Sequence, residues 1–193
     1  MIKEYPLIPT ELDRWVDFAK HFESFREQAY VDVVGVPTVG YGETRGTKLT
    51  HSVPHTMAEN SLKFTLLTHA DRLFRDFQRR NPNLPLSMYP SNRAFLAYAD
   101  LAYNVGISGV LKGGSWNSLL EGNWQMATAR YLLYVRGVNG VRLNGLKRRR
   151  MAAHVLHFTG QFKAYPTVRD IHPLTLRSLK QLQPDWGEFV NYG

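Results

Sequence analysis

The chain of 193 residues contains no cysteine. That absence excludes a disulfide framework and any thiolate metal site. A chain this long can bury a core without such staples. It also lacks an apolar run approaching the roughly 18 residues that a membrane span needs. Glu4, Glu11, Asp13, Arg14 and Asp17 break up the first thirty residues, so neither a secretory signal nor membrane insertion is expected. A protein so built, made in the cytoplasm and acting outside it, would need another agent to carry it across. Acidic residues are scarce, with 16 Asp and Glu against 24 Lys and Arg, for a formal net charge of +8. Such a surface either collects on acidic polymers, namely nucleic acid or anionic wall and membrane material, or is merely well solvated. Repeats, low-complexity tracts and linkers are missing too. The seven histidines suggest no ligand set, so no metal is expected.

Hydrophobic periodicity predicts a mostly helical chain interrupted once by strand-like sequence. Residues 1–9 read as an irregular lead-in because of Pro6 and Pro9. Thr10 and Asp13 match a capping box, and Leu12, Trp15, Val16, Ala19 and Phe22 follow at helical spacing. Residues 29–50 are rich in Val and Gly and predict a small antiparallel sheet. A long amphipathic helix is predicted from a Thr56–Glu59 capping box to Asn81-Pro82, and a second over about 92–105. Loop glycines follow, then helices over 116–120 and 124–135 capped by Ser115 and Asn123, and one over about 146–158 ending at Gly160. Pro173 and Pro184 bound a last short helix, and Trp186 lies in an unassigned tail. The fold class expected is α+β: a small antiparallel β-lobe beside a larger helical lobe, with a ligand cleft between them.

The chemistry concentrates in Glu23–Gly42. Glu23 falls eleven residues after Leu12, about 20° away on a helical wheel at 100° per residue. It therefore projects from the apolar stripe, where a carboxyl group is either satisfied by a partner, with Arg26 a candidate, or given a reason to keep its proton. Asp32 follows nine residues on, in a glycine-bounded turn, and Thr38 lies on the return strand. A glycosidase needs two carboxyl groups in different environments, one to protonate the leaving oxygen and one to stay ionised. Glu23 suits the first role and Asp32 the second, with Thr38 able to hold a water. An ordinary reading of the same residues is a Glu23–Arg26 pair, an Asx-turn at Asp32 and a plain strand threonine.

The stretch resembles the catalytic signature of the phage-type lysozymes, glycoside hydrolase family 24. Glu23, Arg26, Tyr30, Asp32, Gly35, Thr38, Gly40, Tyr41 and Gly42 occupy that signature in one register. Ala102-Tyr103-Asn104-Val105-Gly106, Ser118-Leu119-Leu120 and Gly145-Leu146-Lys147-Arg148-Arg149-Arg150 resemble later family segments in order. The resemblance spans roughly residues 11–160. It implies a lysozyme-like catalytic domain over 1–160, with 161–193 as a C-terminal extension packed on or beside it. It further implies an inverting muramidase that cleaves the β-1,4 bond between N-acetylmuramic acid and N-acetylglucosamine in peptidoglycan. Carried over by position, Glu23, Asp32 and Thr38 are catalytic, with Glu23 the general acid. Asn104 and Tyr41 become candidates for substrate contact, although Asn104 can also cap its helix and Tyr41 can simply fill the small lobe. Arg26, Arg149 and Arg150 become candidates for structural support. No cofactor and no metal are implied, and the expected partner is the glycan strand, met by a monomer in the periplasm after release through another agent. Three departures stand out: Ser24 in place of the usual Gly, Pro37 before the Thr, and Ala153 where an acidic residue often follows the Arg pair. The last puts a helix-side salt bridge in doubt.

Three functions fit these observations. One is an active muramidase used as an endolysin, a virion-associated enzyme or an antibacterial effector. Another is a lysozyme fold that binds peptidoglycan or a partner without cutting it, against which the intact Glu, Asp and Thr argue. The last is a nucleic-acid-binding domain, which would rest on charge alone, with no recognisable motif; nucleic acid is not the partner expected. A lytic transglycosylase would need the acid but no activated water.

Overall fold

The computed structural model describes residues 8–137 and 140–184. Trp186 and the rest of the tail lie outside the described residues. Helix α1 runs Pro9–Phe22. Pro9 starts it, since its fixed φ suits the first helical turn and its missing N–H costs nothing there. The predicted capping box at Thr10 is therefore not formed; Ile8 is the N-cap and makes no side-chain cap bond. Glu11 turns inward instead and is held by Arg93, at 3.0 and 3.1 Å, and by Arg14 at 2.9 Å.

The small lobe is an antiparallel pair, β1 Arg26–Val31 and β2 Pro37–Gly40, with Tyr30 opposite Thr38 and Val31 opposite Pro37. Residues 51–53 add a third edge, since Ala29 donates to the His51 carbonyl and Val53 to that of Glu27, both at 2.9 Å. Gly40 is required where it stands: its φ is +65°, and a Cβ there would meet the Ala58 Cβ at 3.0 Å. That close approach seats β2 on helix α2, His55–Arg80. Helix α2 has 26 residues, hence a length of about 39 Å at 1.5 Å per residue, and it carries the chain from the small lobe into the large one. Its predicted Thr56 cap is displaced as well, because Pro54 is the N-cap.

Helix α3, Asn92–Val105, is the axis of the helical lobe. Every residue from Ala94 to Ala102 is buried, as expected of a helix surrounded on all sides. Against it pack α1, α2, α4 Ile107–Leu111 and α7 Asn144–Thr159, with Trp116 of α5 Gly114–Leu120 and Tyr131 of α6 Trp124–Leu132 touching its Tyr98; α8 Pro173–Leu182 lies on α6. The Gly106–Gly114 stretch, expected to be a loop, contains α4; Gly106 at φ +77° ends α3 and lets a new turn start at once. Asn123 caps α6 as predicted, accepting the Met126 N–H. Ser115 is no cap; its hydroxyl lies inside the core, 2.7 Å from the Ala127 carbonyl and 2.6 Å from the Tyr98 hydroxyl. Leu12, Trp15, Leu66, Leu96, Trp116, Leu132, Met151, Ile171 and Leu179 belong to one continuous apolar core, so the segment after Gly160 shares the core of the rest.

Helix α7 meets that last segment at His154. Its ring is buried, and its Nε2 accepts the His172 N–H at 3.1 Å, a role open only to the neutral imidazole. Burial, with lesser contributions from His157 and His172, lowers its pKa to about 3. The unfolded chain takes up that proton near pH 6.5 and the folded chain does not, so this contribution to stability is lost as pH falls from about 6.5 toward 3. The urea midpoint should accordingly drop between pH 7 and pH 5, with a slope of up to about 1.4 kcal/mol per pH unit from this group. In His154→Gln the decline should be shallower by that amount.

Candidate active site

Glu23 is the first residue past α1, not part of it. It is the C-cap, with extended backbone (φ −103°, ψ 130°), and its N–H closes the helix on the Ala19 carbonyl. The wheel angle therefore does not set where its side chain points. Its carboxyl group is partly exposed at 23% and all its described contacts converge on Oε1. Arg149 Nη1 donates to that oxygen, and Asn104 Nδ2 does so at 3.3 Å. No described residue hydrogen-bonds to Oε2. The ion pair expected with Arg26 is not the one formed. Arg26 opens β1 on the exposed face, with its guanidinium 5.7 Å from the centre of the Tyr30 ring.

Asp32 and Thr38 flank one tight turn. Asp32 Oδ1 accepts the backbone N–H groups of Val34 and Val36 at 2.9 and 2.8 Å. Gly35, at φ +85°, allows the turn to close with its own N–H on the Asp32 carbonyl. The Asx-turn reading of Asp32 is thus realised, but it uses one oxygen, and Oδ2 has no partner among the described residues. The buried Thr38 donates its hydroxyl to the Val36 carbonyl at 3.0 Å, which leaves its lone pairs to accept. Val36 therefore orients both side chains: its N–H holds Asp32, and its C=O, in the next peptide unit, holds Thr38.

Beneath Glu23 lies a buried ionic cluster. Asp100 on α3 has no exposed surface. Arg149 donates to it through Nε, at 3.2 Å to both oxygens, and through Nη2 at 2.6 Å, while Arg150 donates through Nη1 at 3.0 Å. Arg150 Nη2 also reaches Asn104 Oδ1, closing a ring from Glu23 through Arg149, Asp100, Arg150 and Asn104 back to Glu23. Burial alone would push the Asp100 carboxyl up, but the charges and hydrogen bonds of the two arginines hold it below the usual range. Arg149 is driven up against its own burial by Asp100 and Glu23. Asn104 does not cap α3, since Gly106 does. It lines a groove of about 570 Å³ with Val105, Tyr134, Arg136, Leu146 and Arg150.

Tyr41 is a correction. It is buried in the small lobe, its hydroxyl 2.8 Å from His55 Nε2 and its ring against Phe25, so no surface is left with which to stack on a sugar. Its carbonyl accepts the Tyr103 hydroxyl at 2.8 Å, tying α3 to the small lobe. His51 and His55, four apart, form no metal pair: His51 Nδ1 accepts the Lys48 N–H and His55 holds Tyr41. Among the described residues no three His, Asp or Glu side chains are grouped to hold a metal ion, nor is any helix long and apolar enough to cross a membrane. Asp100 escaped the sequence reading, although a signal was there: it is the single acidic residue between Arg93 and Glu121, in the middle of an apolar helix.

A two-lobed α+β chain with a carboxyl group at the junction of its lobes has the architecture of a lysozyme-like glycoside hydrolase. Residues 20–153 match the family model for phage lysozyme, and the chain belongs to that family of muramidases. Comparison with curated proteins finds no match. Among solved structures it is similar to the endolysin from Escherichia coli O157:H7 phage FAHEc1, with a TM-score of 0.66 and 21% identity over 83% of this chain and 99% of that one. It is similar also to the muramidase domain of SpmX from Asticaccaulis excentricus (0.62, 25% identity, 75% and 95%). The P1 phage endolysin Lyz is a further relative in fold (0.60, 23% identity, 76% and 84%).

Removing Arg149 tests the buried cluster. Arg149→Met leaves Asp100 with one guanidinium in place of two and should cost about 3–5 kcal/mol of folding free energy, read as a lowered urea midpoint at pH 7.

Proposed function

We propose that this chain hydrolyses the β-1,4 bond between N-acetylmuramic acid and N-acetylglucosamine with inversion, acting as an endolysin in host cell lysis. The observation that carries the reading is the state of Glu23: a half-buried carboxyl group at the lobe junction, gripped through Oε1 alone. Oε2 is then the oxygen that delivers a proton to the glycosidic oxygen as the bond to the anomeric carbon breaks. Asp32 Oδ2 accepts a proton from water, Thr38 helps to hold that water, and the hydroxide adds to the opposite face of the sugar. Asn104, bonded to Glu23 and lining the groove, contacts an acetamido group of the bound glycan. Arg149 and Arg150 support the acid from beneath. A surface of net charge +8 brings the enzyme to the anionic wall.

Turbidity loss of outer-membrane-permeabilised Gram-negative cells tests the assignment. Wild type should lyse them, and Glu23→Gln should be about 10²–10⁴-fold slower, the usual worth of a general acid. Equal lysis by both proteins would remove Glu23 from the chemistry. No lysis by either folded protein would favour a binding role, and 1,6-anhydro ends in the product would favour transglycosylation.

A further inference from the structure

The mechanism above leaves one buried ionised group without a task. Asp100 makes no hydrogen bond to Glu23, yet it is bonded to Arg149, which holds the acid, and to Arg150, which holds Asn104. The charges on the ring are simple to count. Arg149 and Arg150 bring two positive charges, and Asp100 removes one. With Asp100 ionised, Glu23 sits beside a cluster of net charge +1; without it, the cluster would be +2.

That difference matters for a general acid. A carboxyl group that must carry a proton into the reaction and recover it afterwards cannot stand beside an uncompensated guanidinium pair, which would hold it ionised. The other elements packed around Glu23 supply no substitute. On α3, Tyr103 is pushed up by burial and by Glu23 and Glu43, and so stays neutral. On α1, Lys20 is engaged by Glu59 and Asp17, while His21 lies against Phe22 and Phe162. In the small lobe, Glu43 is bonded to Arg45 N–H and Ser61, and Asp32 to its own turn. Ala153, where the resembling family often has an acid, brings no charge.

We propose that Asp100 is a positioning residue for the reaction: it cancels one of the two guanidinium charges beneath Glu23 and fixes Arg149 so that only Oε1 of the acid is engaged. The inference rests on Glu23 as the general acid.

The test is the pH profile of lytic activity between pH 5 and 9, with folding checked by circular dichroism. A general acid works below a limiting pH, above which activity falls tenfold per unit. In Asp100→Asn this alkaline limb should move at least one unit lower, a tenfold loss of rate at a pH above the wild-type limb. In Arg150→Gln, which leaves Asp100 bonded to Arg149, it should move higher. The double variant Asp100→Asn, Arg150→Gln restores the charge count and should return the limb to its wild-type position. A merely structural role predicts lower rates with the limb unmoved, and that result would overturn the proposal. If Asp100→Asn does not fold alone, the double variant read against Arg150→Gln decides the matter: the limb must fall back to its wild-type position, and a limb that stays raised overturns the proposal. Full activity in Glu23→Gln would instead locate the failure in the acid assignment.

Discussion

Asp100 is a carboxylate with no exposed surface, clamped between Arg149 and Arg150, and the junction of α1, α3 and α7 is built on it. Taking three charges out of water is costly, and mutual attraction compensates only when the hydrogen bonds are nearly complete. The ring of contacts meets that condition. Both oxygens of Asp100 are used, Arg149 spends its remaining nitrogen on Glu23, and Arg150 spends one of its own on Asn104. The cluster joins the middle of α3, the first half of α7 and the end of α1 at one point. Because an unpaired buried charge is so unfavourable, these three elements cannot drift apart singly. The residue that benefits is Glu23, which has left its helix and would otherwise be free to turn.

The small lobe is organised by weaker and more local forces. Val36 holds Asp32 by its N–H and Thr38 by its C=O, so one residue orients both side chains. Gly35 and Gly40 permit the turn and the close seating of β2 on α2. The hydroxyl of Tyr103 on the Tyr41 carbonyl is a direct tie between the β-lobe and the central helix. Glu23 is thus attached at the end of α1, and Asp32 just past β1 in the small lobe.

Much of this was legible in the residues. Registered spacing from Glu23 to Gly42 identified the family, and the switch from helical to strand-like periodicity at residue 29 marked the small lobe. What could not be read was tertiary. The partner of Glu23 lies 126 positions away, while the local candidate, Arg26, is on a strand and points elsewhere. For Tyr41 the residues left sugar contact and packing open, and burial decides for packing. The helix starts at Thr10 and Thr56 were misjudged because a preceding proline begins a helix as well as a side-chain cap does. Asp100 was visible as a lone acid in an apolar run, but only the fold supplies the two arginines that explain it.

The central claim is that water, held by Asp32 and Thr38, attacks opposite to the bond that Glu23 protonates. Time-resolved proton NMR of a soluble peptidoglycan fragment during cleavage tests this most directly. The account predicts that the α-anomer of the new reducing end appears first and then mutarotates toward equilibrium. First appearance of the β-anomer, or of a 1,6-anhydro end, would contradict it.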